Sequence, residues 1–232
     1  MAISSTKVLP ILVVAALGRE LHALSANPQP ELELLETGEG IANAERNVED
    51  WLEHRSARAV LSIGFAGALS TALHVGDLVV AETVHGSQIT PDPNLLAAAI
   101  QVRPDGAVHF GTAVTAERIV WQSSEKHALA GLLAADQLAF VDMESTAIAA
   151  VCARRGVPFL IVRSISDLFD EDLPLDFNQC RDSDGRVRSS KVMRDALLKP
   201  GSISGLLELR KRSQLCAERM AEFVRRLLPF IK

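Results

Sequence analysis

The chain alternates between short, dense apolar runs and stretches whose apolar residues recur at three and four positions. Residues 8–16 form an almost unbroken apolar run of buried-strand length, and 31–36 a second extended segment with rough alternation. Gly38-Glu39-Gly40 interrupts the pattern, and 42–55 then has helical periodicity. A buried strand over 59–63 ends in Gly64-Phe65-Ala66-Gly67-Ala68. Further strands are expected at 77–84, 108–115, 138–141 and 157–164, and helices at 93–102, 123–135 and 145–155, the last closed by Gly156. Strands alternating with helices predict a three-layer α/β fold with helices on both faces of one sheet. From 170 to 202 the pattern dissolves into Pro, Asp, Ser and Gly, an irregular excursion. Residues 202–228 then make a long amphipathic helix with Leu206, Leu209, Met220, Phe223, Val224 and Leu227 among its apolar positions. A single domain accommodates all 232 residues.

Composition refines this picture. With 48% hydrophobic residues the chain has material for one continuous core. The net charge of −5 is unevenly spread: −12 over residues 1–180 and +7 over 181–232. Acidity outside the tail and the absence of tyrosine argue against a nucleic-acid surface. The basic tail fits either a solvated helix face or peripheral contact with an anionic membrane. Cys152, Cys180 and Cys216 are far apart and form neither a CxxC pair nor a disulfide framework, which fits a reducing, cytoplasmic compartment. The six histidines lack metal-ligand spacing, so neither a metal nor another cofactor is expected. Lys7 and the apolar run after it imitate a short signal peptide. The positive region is thin and the run only about ten residues long, so a buried strand is the expectation.

Two predicted strands end in acids. Phe140-Val141-Asp142-Met143-Glu144-Ser145 passes from strand to helix, and Val162-Arg163-Ser164-Ile165-Ser166-Asp167 closes the next strand. Acidic residues are favoured at helix N-termini by the helix dipole alone. Ligands of open α/β sheets also gather beyond the carboxyl ends of strands, so the pair marks a candidate site.

These segments carry a resemblance. Gly64-Phe65-Ala66-Gly67-Ala68 with His74-Val75-Gly76-Asp77-Leu78-Val79-Val80 resembles a signature of the nucleoside phosphorylase and nucleosidase superfamily. Val141-Asp142-Met143-Glu144-Ser145-Thr146-Ala147-Ile148-Ala149 and Val157-Pro158-Phe159-Leu160-Ile161-Val162-Arg163-Ser164-Ile165-Ser166-Asp167 resemble two more, in the same order and spacing. Among enzymes the likeness is to methylthioadenosine/S-adenosylhomocysteine nucleosidases. It implies a phosphorylase/hydrolase-like αβα fold with a mixed central sheet, a homodimer, and cleavage of a purine N-glycosidic bond by water or phosphate, water being favoured. It also implies roles: Asp167 protonates purine N7, Glu144 grips the ribose 2′-hydroxyl, and Glu20 positions or deprotonates the attacking water. Met143 lies beside the ribose, Ile119 and Val120 beside the purine, and Phe65, Ser166 and Arg163 support the site. Carboxylates near an oxocarbenium-like sugar favour the transition state, and a proton on N7 makes the base leave well. Asp167 must then carry a proton, which burial or neighbouring carboxylates would arrange.

Three departures stand out. Phe65 replaces the family's usual small or polar residue, so the hydrogen-bond support of Asp167 is expected to differ. The segment 25–30 is very short. Thr37-Gly38-Glu39-Gly40-Ile41 replaces the usual anion or water loop, where Glu39 either repels phosphate or points to solvent. The tail, with Asp182-Ser183-Asp184-Gly185-Arg186-Val187-Arg188, Leu197-Leu198-Lys199-Pro200-Gly201 and Leu206-Leu207-Glu208-Leu209-Arg210, resembles hopanoid-associated phosphorylases, as does Asp142. That implies an alternative substrate, adenosylhopane, and a basic amphipathic tail would suit collecting it from a membrane. A non-catalytic nucleoside-binding protein is the third possibility, against which the three acids together speak.

Overall fold

A computed structural model describes residues 9–134, 137–182, 187–199 and 201–231. The first apolar run becomes strand β1 (Ile11–Ala15), buried throughout. Ile11, Val13 and Ala15 join the core on one side of the sheet and Leu12 and Val14 the core on the other, the period-two alternation of a strand buried on both faces. Val8 of the expected strand, and Lys7 before it, lie outside the described residues. The other strands are β2 (Leu32–Glu36), β3 (Ala59–Ala68), β4 (Leu78–Val84), β5 (Val108–Thr115), β6 (Ala139–Asp142) and β7 (Phe159–Asp167). The helices are α1 (Gly18–Ser25), α2 (Ile41–His54), α3 (Pro93–Gln101), α4 (Ser123–Ala130), α5 (Ser145–Arg155), α6 (Ser189–Leu198) and α7 (Ser202–Leu227).

The sheet is mixed, as the superfamily resemblance implies. β2, β1, β3 and β7 run parallel in that order, and β4–β5 and β5–β6 are also parallel. β3–β6 and β4–β7 are antiparallel. Strand β3 is ten residues long and pairs with β7 along most of its length and with β6 at its tip. Strands β3, β6, β5, β4 and β7 therefore close a ring, and a register shift between Ala66 and Gly67 aligns Gly67 with Asp167. Helices α2 and α5 cover one face through Ala44, Val48, Ile148 and Val151. Helices α1, α3 and α7 cover the other through Leu21, Leu24, Leu95, Met220, Phe223 and Val224.

The structure corrects several sequence expectations. β3 continues through Gly64-Phe65-Ala66-Gly67-Ala68 instead of stopping at Ile63, because these glycines sit where buried side chains of neighbouring elements approach the sheet. β7 begins at Phe159 and runs to Asp167. Helix α4 stops at Ala130, and the expected helix end at Ala135 lies outside the described residues. The excursion is not wholly irregular: it holds a 3-10 turn (Phe177–Cys180) and α6, of whose residues only Ala196 is buried. A helix that buries so little of itself writes a weak apolar period into its sequence. Among the described residues no helix is long and apolar enough to cross a membrane.

Candidate active site

The tips of β3, β6 and β7 open with α1 and the loop after β2 into one cleft of about 1580 Å³. Glu20, Glu144 and Asp167 all line it, as do Met143, Ile119, Val120, Phe65, Ser166, Gly38 and Glu39. Segments separated by more than a hundred residues are thus brought to one wall. Arg163 and Gly40 stand just behind it.

Asp167 ends β7 and is buried. Its Oδ1 accepts from the Ser166 hydroxyl at 2.8 Å, and that hydroxyl also reaches the Ala66 carbonyl at 3.3 Å. The Lys126 ammonium of α4 lies 2.5 Å from Oδ2. The contact is not aligned as a hydrogen bond, and Oδ2 has no hydrogen-bond partner among the described residues. The hydrogen-bond support of Asp167 thus comes from Ser166, not from Phe65. Burial was expected beside this acid, and so were other carboxylates; the charged neighbour in contact with it is a cation.

Glu144 stands at the entry to α5 and its carboxyl accepts from the Gly40 amide at 2.7 Å. Burial first, and then the Asp142 carboxylate, push its pKa up to about 8, with Glu20 adding to the rise. Glu20 is not a surface acid, although it does sit in the first turn of α1. Its Oε2 accepts from the Leu17 amide at 2.8 Å and caps the helix, while Oε1 accepts from the Phe65 amide at 2.8 Å. Burial raises its pKa against the pull of those two amides and of Arg163. Gly64 permits this approach, since a Cβ there would stand 3.1 Å from Glu20 Oε1.

Arg163 is buried behind the cleft wall. Its guanidinium pairs with Asp142 at 2.7 Å and donates to the Ser62 carbonyl and hydroxyl at 3.0 and 3.1 Å. Asp142 in turn accepts from the Ser145 hydroxyl and from Thr115. The Thr115 hydroxyl receives the Thr146 amide at 3.0 Å, so the first turn of α5 is fixed to the sheet that carries Arg163.

In the loop after β2, the Gly38 amide donates to the Ala16 carbonyl at 3.0 Å and the Gly40 amide to Glu144. Both glycines have positive φ, 80° and 92°, which this double turn requires. Glu39 is half-buried, and its carboxylate accepts from the Val187 amide at 3.3 Å, which ties the loop to the excursion. It therefore belongs to the wall of the cleft and does not point freely to solvent. Asn178, unmarked in the sequence, clamps the Ile119 backbone: its Oδ1 accepts from the Ile119 amide and its Nδ2 donates to the Ile119 carbonyl, both at 2.9 Å.

Farther out, the cleft runs between α6 and the first half of α7, past Met193, Leu197, Ile203 and Leu207. These side chains are exposed, Leu197 by 70%, and Leu206 and Leu209 are half-buried beside them. The second half of α7 packs on the sheet. No cluster of three or more His, Cys, Asp or Glu suited to a metal occurs among the described residues.

This sheet, with acids gathered at its strand tips, defines a class. A family model for the Phosphorylase superfamily matches residues 29–198, and the chain belongs to that superfamily. Among curated relatives it is 31% identical over 171 residues to the 5′-methylthioadenosine/S-adenosylhomocysteine nucleosidase of Geobacillus kaustophilus, covering 64% of this chain and 72% of that protein. The enzyme of the same name from an Exiguobacterium species is 29% identical over 182 residues, 69% of this chain and 77% of that one. The fold matches the nucleosidase of Colwellia psychrerythraea solved with adenine, with TM-score 0.73, 18% identity and 97% of each chain covered. It equally matches the futalosine hydrolase of Helicobacter pylori, with TM-score 0.72, 18% identity, and 97% and 99% covered.

Proposed function

We propose that the protein hydrolyses the N-glycosidic bond of an adenosine bearing a 5′ substituent, of the methylthioadenosine or S-adenosylhomocysteine type, and releases adenine. The observation that carries this reading is the convergence of Asp167, Glu144 and Glu20 on one cleft, each held by different backbone or side-chain donors. Asp167 gives its proton to purine N7 while the C1′–N9 electron pair passes to the base. The sugar becomes oxocarbenium-like, and Glu144 stands beside it. A carboxyl poised near neutrality ionises readily when positive charge develops next to it. Water adds at C1′ and Glu20 accepts its proton, a role suited to a carboxylate whose basicity burial has raised. Each Glu20 oxygen keeps a second lone pair beyond the one its amide uses.

Water is favoured over phosphate because three amides of the 37–41 loop, those of Thr37, Gly38 and Gly40, are already engaged and Glu39 places a carboxyl in the same wall. Adenine release from methylthioadenosine and S-adenosylhomocysteine, followed by chromatography with and without phosphate, tests this. Free sugar in both buffers is expected, and strict phosphate dependence would overturn the hydrolytic half.

The outer cleft favours a second reading, in which the 5′ group is a large lipid, as in adenosylhopane, met at an anionic membrane. Exposed Met193, Leu197 and Leu207 stand there, with Lys191, Arg194, Lys199 and Lys211 on the same two helices and the turn between them. Faster turnover of an adenosine with a bulky apolar 5′ group than of methylthioadenosine, together with co-sedimentation with anionic vesicles, would decide for it. We assign the enzyme to the cytoplasm on its three free, buried cysteines, and to a homodimer on the superfamily resemblance.

A further inference from the structure

Lys126 is fully buried, at 0% exposure, on a helix whose surrounding sequence (Ser123-Ser124-Glu125-Lys126-His127) reads as a solvated polar turn. A buried ammonium is costly unless each of its protons meets an acceptor. Here two carbonyls accept from it, Leu168 O at 2.6 Å and Glu171 O at 3.0 Å, and the Asp167 carboxyl lies against it with Oδ2 at 2.5 Å. The loop after β7 is pinned to α4 on either side of that point. Asp172 accepts from the Ser123 amide and hydroxyl at 2.7 and 2.8 Å, and His127 meets Asp170 at 2.6 Å. Gly67 makes the encounter possible, because a Cβ there would lie 2.9 Å from Asp167 Oδ2 and 3.5 Å from Lys126 Cε. Ammonium and carboxyl therefore meet over bare backbone at the register shift of β3, on the inner side of the cleft.

We propose that Lys126 is a positioning residue of the reaction, holding the Asp167 carboxyl in place and balancing the negative charge that forms on it as its proton leaves. The inference rests on Asp167 being the acid of the proposed hydrolysis. The proton on Asp167 moves to N7, the C1′–N9 pair goes to the purine, and Asp167 is left as a buried carboxylate facing the ammonium. Water supplies hydroxide to C1′ and its proton to Glu20, from which solvent can return a proton to Asp167. Lys126 itself keeps all three protons throughout. A fixed charge aimed where charge develops assists the step without reorganisation.

The test compares the unsubstituted protein with Lys126→Met and with Lys126→Gln, which keeps donors for the Leu168 and Glu171 carbonyls but not the charge. On the adenine nucleoside, kcat is expected to fall roughly 10- to 100-fold with KM changed less than about threefold. On 4-nitrophenyl riboside, whose phenolate leaves without a proton, the rate should stay within about threefold of the unsubstituted protein. If that riboside is not turned over, the kcat loss with intact KM decides alone. An unchanged kcat, an effect confined to KM, or equal losses on both substrates would overturn the proposal. So would failure of both variants to fold, since Lys126 would then be a structural tie only. Absence of adenine release by the unsubstituted protein would instead sink the proposed activity, so the two failures are read separately.

Discussion

Glu144 lies between a buried carboxylate at Asp142 and the Gly40 amide, and burial dominates its titration, raising its pKa to about 8. The folded protein thus holds this proton more tightly than the unfolded chain does. The resulting stability is complete below the unfolded value of 4.5 and is lost as pH rises through about 8. Glu144→Gln should remove that loss. Urea unfolding at pH 5 and pH 9 is expected to show the variant gaining on the unsubstituted protein by on the order of 2–4 kcal/mol. A difference independent of pH would contradict the assignment. Asp167→Asn, which keeps the shape and the Ser166 partner but has no acidic proton, should slow adenine release by about 10²- to 10⁴-fold while nucleoside binding persists. Intact turnover would refute the mechanism. These two acids were legible because Asp167 ends a strand and Glu144 opens the helix that follows one, each inside a local motif. Glu20 was recognisable only through the superfamily resemblance, and Lys126 not at all, since burial alone separates them from ordinary helix-surface charges.

At the scale of elements, the two halves of α7 behave differently. Cys216, Met220, Phe223, Val224 and Leu227 carry a strong helical period and are buried against the sheet. Ile203 and Leu207 continue the helix without a core to meet and instead line the outer cleft with α6. Replacing exposed Met193 or Leu197 by Glu should leave stability within about 0.5 kcal/mol, because neither side chain is packed in the core. The same changes should lower kcat/KM for adenosines with large apolar 5′ groups more than for methylthioadenosine. Equal effects on both substrates would show that the outer cleft does not read the 5′ group. Elements with a well-buried face, such as β1 and α5, were evident from periodicity. Helix α6 was not, because it packs so little that nothing in its sequence had to record a partner.

For the whole molecule, a dimer is expected, so light scattering on a gel-filtration column should give about twice the 25.0 kDa chain mass. A strict monomer would contradict it and would leave the cleft to be completed by this chain alone. The strand–helix alternation, the apolar faces and the acids at two strand ends were determined by sequence alone, because period and motif are local properties of a chain that must bury one side of each element. The closure of β3, β6, β5, β4 and β7 into a ring, the meeting of Glu20 with Phe65, and the Lys126–Asp167 pair depend on residues dozens of positions apart. Only the tertiary structure decided them, since whether a charge is solvated or buried against another is a property of the packed sheet and not of its neighbours along the chain.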